Sequence, residues 1–218
     1  MQVLVIDSDE SNFGLHRQLG LDLPEDFTHY FGHKKGIFQD GAEDVFQGGW
    51  HLEDIPAQHL STDGNIRLMA IGKIADAGEG CACPMGALAK ILLEHLILRE
   101  NEIVIIDTEA GVEHFGRGVD RFADAILMVA DPSYESIQLA GKITEMGRDF
   151  EKPVHILLNK VDAQQRAVME ESIRDRDAII GALPMDSAIL TAGLKGEKLT
   201  VEPPQITALL DALKNCVF

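Results

Sequence analysis

Hydrophobic residues recur along this chain in short apolar runs at 3–6, 103–106, 125–130, 154–158 and 178–183, each ending in polar or glycine-bearing sequence. Runs of four to six apolar residues without alternation suit strands covered on both faces. Between them, helical patterns occupy 84–98, 133–147, 163–176 and 205–215. A further strand is expected over 66–74, whereas 20–65 has little sustained periodicity and reads as short helices with an irregular connection. Strands alternating with helices predict an α/β fold with a doubly wound, mainly parallel sheet and helices on both faces. No internal repeat or linker divides the 218 residues, so one domain over 1–218 is expected.

Composition narrows the partners. A hydrophobic content of 45% allows a substantial core. Acidic residues outnumber basic ones 36 to 19, and the net charge of −17 opposes attraction to nucleic-acid phosphates or anionic lipid. The apolar runs are too short to cross a bilayer, and the first residues lack the charged-then-apolar pattern of a leader. The expectation is a cytoplasmic protein without nucleic-acid or membrane partners.

In open parallel sheets, ligands bind beyond the carboxyl ends of the strands. The run at 3–6 delivers Asp7 and Asp9 to that rim, and the run at 103–106 delivers Asp107, which opens Asp107-Thr108-Glu109-Ala110-Gly111. Carboxylates there hold magnesium through water or position an attacking water, and Gly111 admits a terminal phosphate close to the backbone. A strand-end aspartate also caps the following helix. The run at 154–158 leads to Asn159-Lys160-Val161-Asp162, which offers an amide, a lysine stem and a carboxylate to one face of a purine. Asp162 either accepts from guanine or caps the helix at 163, so ATP and GTP both remain open on these residues.

Two of the three cysteines form Cys81-Ala82-Cys83. Two thiolates are half of a tetrahedral metal site, and a two-fold homodimer would bring four sulfurs to its axis. Thiolates favour zinc, copper(I) or nickel over magnesium. Gly78, Gly80 and Gly86 allow a tight loop, and Pro84 suits the first turn of the next helix. His95 and His114 read as packing or surface residues, and Cys216 as an incidental apolar one.

These residues together resemble the CooC-type carbon monoxide dehydrogenase maturation ATPases, in the MinD and ParA-like branch of P-loop nucleotide hydrolases. The similar segments are VLVIDSD at 3–9, EGCACPMG at 79–86, IVIIDTEAGVEHFGRGV at 103–119, ADPS at 130–133, LLNKVD at 157–162 and LPMDSAI at 183–189. The resemblance implies an ATP- and magnesium-dependent homodimer that holds nickel or zinc on its C-x-C cysteines. Its client would be carbon monoxide dehydrogenase or another nickel enzyme. It further implies that Asp7, Asp9 and Asp107 act on the attacking water and that Gly111 approaches the phosphate. Asn159, Lys160, Asp162, Pro184 and Asp186 would surround the base, and Cys81 and Cys83 would hold the metal.

One departure stands out: the sequence contains no G-x-x-x-x-G-K-[ST] phosphate loop. Family members place a strand, that loop and a helix before the strand matching 3–6, so the expectation is an N-terminally truncated fold with neighbouring strands left unpaired. Hydrolysis of ATP by this chain is expected to be inefficient. The alternatives are a nucleotide-independent metal-binding or interaction protein and a GTP-using nickel chaperone. A partition or division-site ATPase would need a basic surface or tail, which the acidic charge opposes.

Overall fold

A computed structural model describes residues 1–32, 37, 42–74, 83–201 and 203–217. They form two compact units, Met1–Phe122 with Gly196–Lys198, and Ala123–Lys195 with Leu199–Phe218. The first unit contains β1 (Gln2–Asp7), α1 (Leu15–Leu19), α2 (Ala42–Val45), β2 (Ser61–Asp63), β3 (Ile66–Ala70), α3 (Cys83–His95), β4 (Glu102–Asp107) and α4 (Glu113–Arg117). Its sheet has the order β2-β3-β1-β4. The apolar strand β1 lies between β3 and β4 and runs parallel to both, which buries Leu4 and Ile6 completely. The register sets Asp7 opposite Asp107, so two carboxylates leave the sheet side by side.

The expected strand over 66–74 ends earlier, at Ala70. Ile71 N still donates to Asp7 O, and at Gly72 any side chain would press on Met85 Sδ and Thr28 Cγ2. The β2–β3 hairpin was not expected. Its turn passes through Gly64 in a left-handed conformation (φ 59°), and the signal for it is the Asp63-Gly64-Asn65 sequence.

The stretch over 20–65 contributes much of the first core despite its lack of periodicity. Phe27, Phe46 and Leu52 pack with Met85, Leu88 and Leu92 of α3 and with Leu4, Ile6 and Met69 of the sheet. Phe27 stands edge-on to Trp50 and His59, at 6.1 and 5.4 Å between ring centres, and His59 Nδ1 lies 2.9 Å from Glu25 O. Each fully buried large side chain contributes about 1.5–3 kcal/mol. Irregular backbone is thus fixed by aromatic packing rather than by a repeating face.

The second unit contains β5 (Ile126–Ala130), α5 (Tyr134–Asp149), β6 (Val154–Leu158), α6 (Ala163–Ser172), β7 (Ile179–Ala182), α7 (Ser187–Lys195) and α8 (Gln205–Val217). Its three strands are parallel in the order β5-β6-β7. Helix α5 starts at Ser133, whose Oγ accepts from Ser136 N, and buries Ala140, Ile143 and Gly147. Helix α6 stops at Ser172, short of the expected 176, because Ile173 is extended (ψ 122°) and buried. Helix α7 was not expected. It has no buried residue, and thus no inward-facing pattern to mark it.

The α/β class and parallel pairing agree with the sequence, but two strands are not covered as their composition implies. Strand β4, Glu-Ile-Val-Ile-Ile-Asp, ends its sheet, has no buried residue, and leaves Ile105 51% exposed. Strand β5 ends the other sheet with Leu127 and Val129 exposed. Among the described residues each has one neighbouring strand, whereas continuous apolar sequence suits strands with cover on both faces. No described helix is long and apolar enough to cross a membrane.

Candidate functional site

Asp7 and Asp107 occupy the ends of adjacent parallel strands, and between β3 and α3 the chain supplies a residue that sequence reasoning missed. Lys73 is buried with its Nζ 2.7 Å from Asp7 Oδ2, both side chains being no more than 4% exposed. The same ammonium donates to Asp9 O and Asn12 O, each at 2.5 Å, while Lys73 N donates to Asp26 Oδ2. All three of its protons thus have acceptors, which is what a buried ammonium requires. The signal in the sequence was a lysine inside the otherwise apolar stretch Met69-Ala70-Ile71-Gly72-Lys73-Ile74.

The loop after β1 is built on its own aspartates. Asp7 Oδ1 accepts from Asp9 N, and Asp9 Oδ1 accepts from Ser11 N, Ser11 Oγ and Asn12 N. Burial raises the pKa of Asp7, and the Lys73 ion pair only partly offsets it. Burial also raises that of Asp107, helped by the charges of Asp7 and Asp9 and opposed by Lys73 through space. Asp7 is held by Lys73 and by its own loop, which leaves Asp107 as the strand-end carboxyl whose chemistry suits a positioned water.

Gly111 sits four residues beyond Asp107 with φ 131°, and a side chain there would also meet the Glu113 carboxylate. The D-T-E-A-G loop therefore requires glycine at its end. Helix α4 follows directly, and its Arg117 Nη1 lies 3.6 Å from Glu10 Oε1, a buried carboxylate of the β1 loop. His114 Nε2 lies 3.5 Å from Asp120 Oδ1, and burial raises the pKa of Asp120.

Helix α3 begins at Cys83, which is exposed, and Pro84 takes its first turn as the sequence implied. Cys81, with Gly78 and Gly80, lies outside the described residues. Among the described residues no three His, Cys, Asp or Glu side chains converge as a metal site. His95 Nδ1 lies 2.9 Å from Ile91 O within its own helix.

In the second unit, Asn159 Nδ2 donates to Asp131 Oδ1 at 2.9 Å, and Lys160 Nζ donates to Asp131 Oδ2 at 2.7 Å. Asp131 was missed as a site residue, although it follows β5 directly. Asn159 N donates to Ala130 O, and Val161 N donates to Leu183 O, which joins the N-K-x-D loop to the ends of β5 and β7. Asp162 forms a capping box with Gln165 at the start of α6. Pro184 lies in the loop after β7, and Asp186 Oδ1 accepts from Ala188 N and Ile189 N at the start of α7.

Lys160 itself is left-handed (φ 58°), which costs a non-glycine residue about 1 kcal/mol. Its exposed ion pair with Asp131 returns little of that. Lys160→Gly is therefore expected to raise the stability of this unit by about 1 kcal/mol, measured by urea denaturation. An unchanged or lowered midpoint would show that the lysine conformation is unstrained.

No protein-family model matches the sequence. The ATP-binding protein MJ0084 of Methanocaldococcus jannaschii is 45% identical over 218 residues, covering 97% of this chain and 87% of the relative. The chain belongs to the family of MJ0084. The carbon monoxide dehydrogenase accessory protein CooC of Rhodospirillum rubrum is 36% identical over 146 residues, or 66% of this chain. That match spans just over half of CooC, 56% of its length. The ParA family ATPase of Chlorobium tepidum superposes with a TM-score of 0.63 at 20% identity, over 98% of this chain and 85% of the other. The ParA-like fold that the resemblance implies is thus shown.

Proposed function

We propose that this chain is a nucleotide-dependent metallochaperone that assists nickel insertion during carbon monoxide dehydrogenase maturation. The observation that carries the reading is the buried Asp7–Lys73 ion pair, with Asp107 beside it on the next strand, in the same unit as the helix opened by Cys83. Its kinship with the ATP-binding protein MJ0084 supports ATP as the nucleotide. When bound, ATP supplies the terminal phosphate whose presence or loss the two rim loops register.

The chain's own residues then have distinct tasks. Asp107 and Asp7, both biased toward protonation by burial, hold or orient water at the strand ends, and Lys73 keeps the β1 loop seated. Gly111 lets the second loop come close to the phosphate. Asn159, Lys160, Asp162, Pro184 and Asp186 form the base-facing set, with Asp131 holding the first two in place. Cys81 and Cys83 of two copies hold nickel or zinc as cargo in a homodimer, and each nucleotide state favours a different dimer geometry. The site lies in a cytoplasmic protein without a nucleic-acid or membrane partner.

The test is metal content with and without nucleotide. Equilibrium dialysis against nickel or zinc is expected to yield about one ion per two chains, and Cys81→Ser with Cys83→Ser to remove it. Retention of the metal in the double variant would sink the C-x-C assignment. The second reading is a metal binder that ignores nucleotide. An affinity that is the same with and without ATP would select it.

A further inference from the structure

The loop after β1 touches both described flanks of the cysteine pair. On the upstream side, Lys73 Nζ donates to Asp9 O and Asn12 O, and the next residue, Ile74, donates its N–H to Glu10 O at 3.0 Å. On the downstream side, Cys83 opens α3, and Gly86 follows in its first turn. Gly86 is buried against the stem of Arg117, so a methyl group there would collide with Arg117 Cδ. The guanidinium of that arginine lies 3.6 Å from Glu10 Oε1. Glu10 is 6% exposed, so its carboxylate meets Arg117 in a setting where water screens little.

We infer that Glu10 is a positioning residue that links the β1 loop to the cysteine-bearing helix, through its carbonyl to Ile74 and through its carboxylate and Arg117 to Gly86 and the Cys83 turn. The inference rests on the proposed coupling of nucleotide and metal, and it supplies that coupling with a physical path. A shift of the loop that carries Asp9 pulls on Ile74 directly. Because Arg117 belongs to the helix after D-T-E-A-G, a shift of the second loop reaches the same arginine. Both rim loops therefore act on Cys83 through one ion pair. The contact needs glycine at 86 for space, which accounts for a residue that otherwise weakens a helix by about 1 kcal/mol.

The experiment reads Cys83 itself and uses neither nucleotide nor metal. The rate of iodoacetamide alkylation at Cys83, followed by peptide mass spectrometry, is compared in the wild type, Glu10→Gln, Arg117→Met and the double variant. Each single change is expected to alter the rate about threefold or more in the same direction, and the double variant to go no further than either single one. Arg117→Lys keeps a charge for this single contact and is expected to restore the wild-type rate. Gly86→Ala, which displaces the Arg117 stem without touching a charge, is expected to reproduce the Glu10→Gln effect. Urea midpoints identify any variant that fails to fold, and the milder Glu10→Gln and Arg117→Lys pair then decides. Rates unchanged in folded single variants, or effects that multiply in the double variant, would overturn the linkage. A failure here leaves the metal and ATP assays standing, and their failure leaves this result standing.

Discussion

Lys73→Met is expected to destabilise the first unit by about 3–5 kcal/mol, the cost of stranding a buried carboxylate without its counter-charge. The methionine keeps most of the side-chain volume, so the loss is electrostatic rather than steric. Asp7 would be left 3% exposed beside Asp107, and the Asp9 and Asn12 carbonyls would lose their shared donor. Adding Asp7→Asn removes the stranded charge and is expected to recover a substantial part of the loss. Urea denaturation of the two single variants and the double variant measures this as a coupling energy. Single effects that simply add would show that Lys73 and Asp7 do not act as a pair.

Asp107→Asn is expected to do the reverse, raising stability at neutral pH by about 1 kcal/mol while impairing any nucleotide-dependent activity. The pH dependence fixes the cause. Burial raises the carboxyl pKa in the folded state above its ordinary value. The favourable contribution of the carboxyl to folding is therefore present below the unfolded pKa and is lost as pH rises through the folded one. Asparagine is neutral throughout, so its advantage should appear above the raised pKa and close as pH falls toward the ordinary carboxylate range. Denaturation midpoints at several pH values from 7 to 4 check this. A variant less stable than the wild type at pH 7 would mean that the ionised carboxylate is structural.

These two variants also mark what was legible in the sequence. Asp7 and Asp107 were readable because each ends an apolar run, and a parallel sheet places strand ends on one rim. Lys73 was hidden inside a run assigned wholly to strand, whereas it lies beyond the observed end of β3, where its ammonium meets Asp7. The pairing of Glu10 with Arg117 joins residues 107 positions apart, and nothing in local pattern encodes it. Asp162 was left open between a base contact and a cap, and its carboxylate lies in a capping box with Gln165. The aromatic cluster around Phe27 escaped because its residues belong to short 3-10 turns and connections, whose packing has no period.

The Ile-Val-Ile-Ile run of β4 and the Leu127 and Val129 side chains of β5 have a practical consequence. Bare strand margins of this composition, free of proline and bulges, are adhesive toward other polypeptides. Among the described residues these margins are open to an added strand, and a charge introduced at Ile105 should weaken any such pairing.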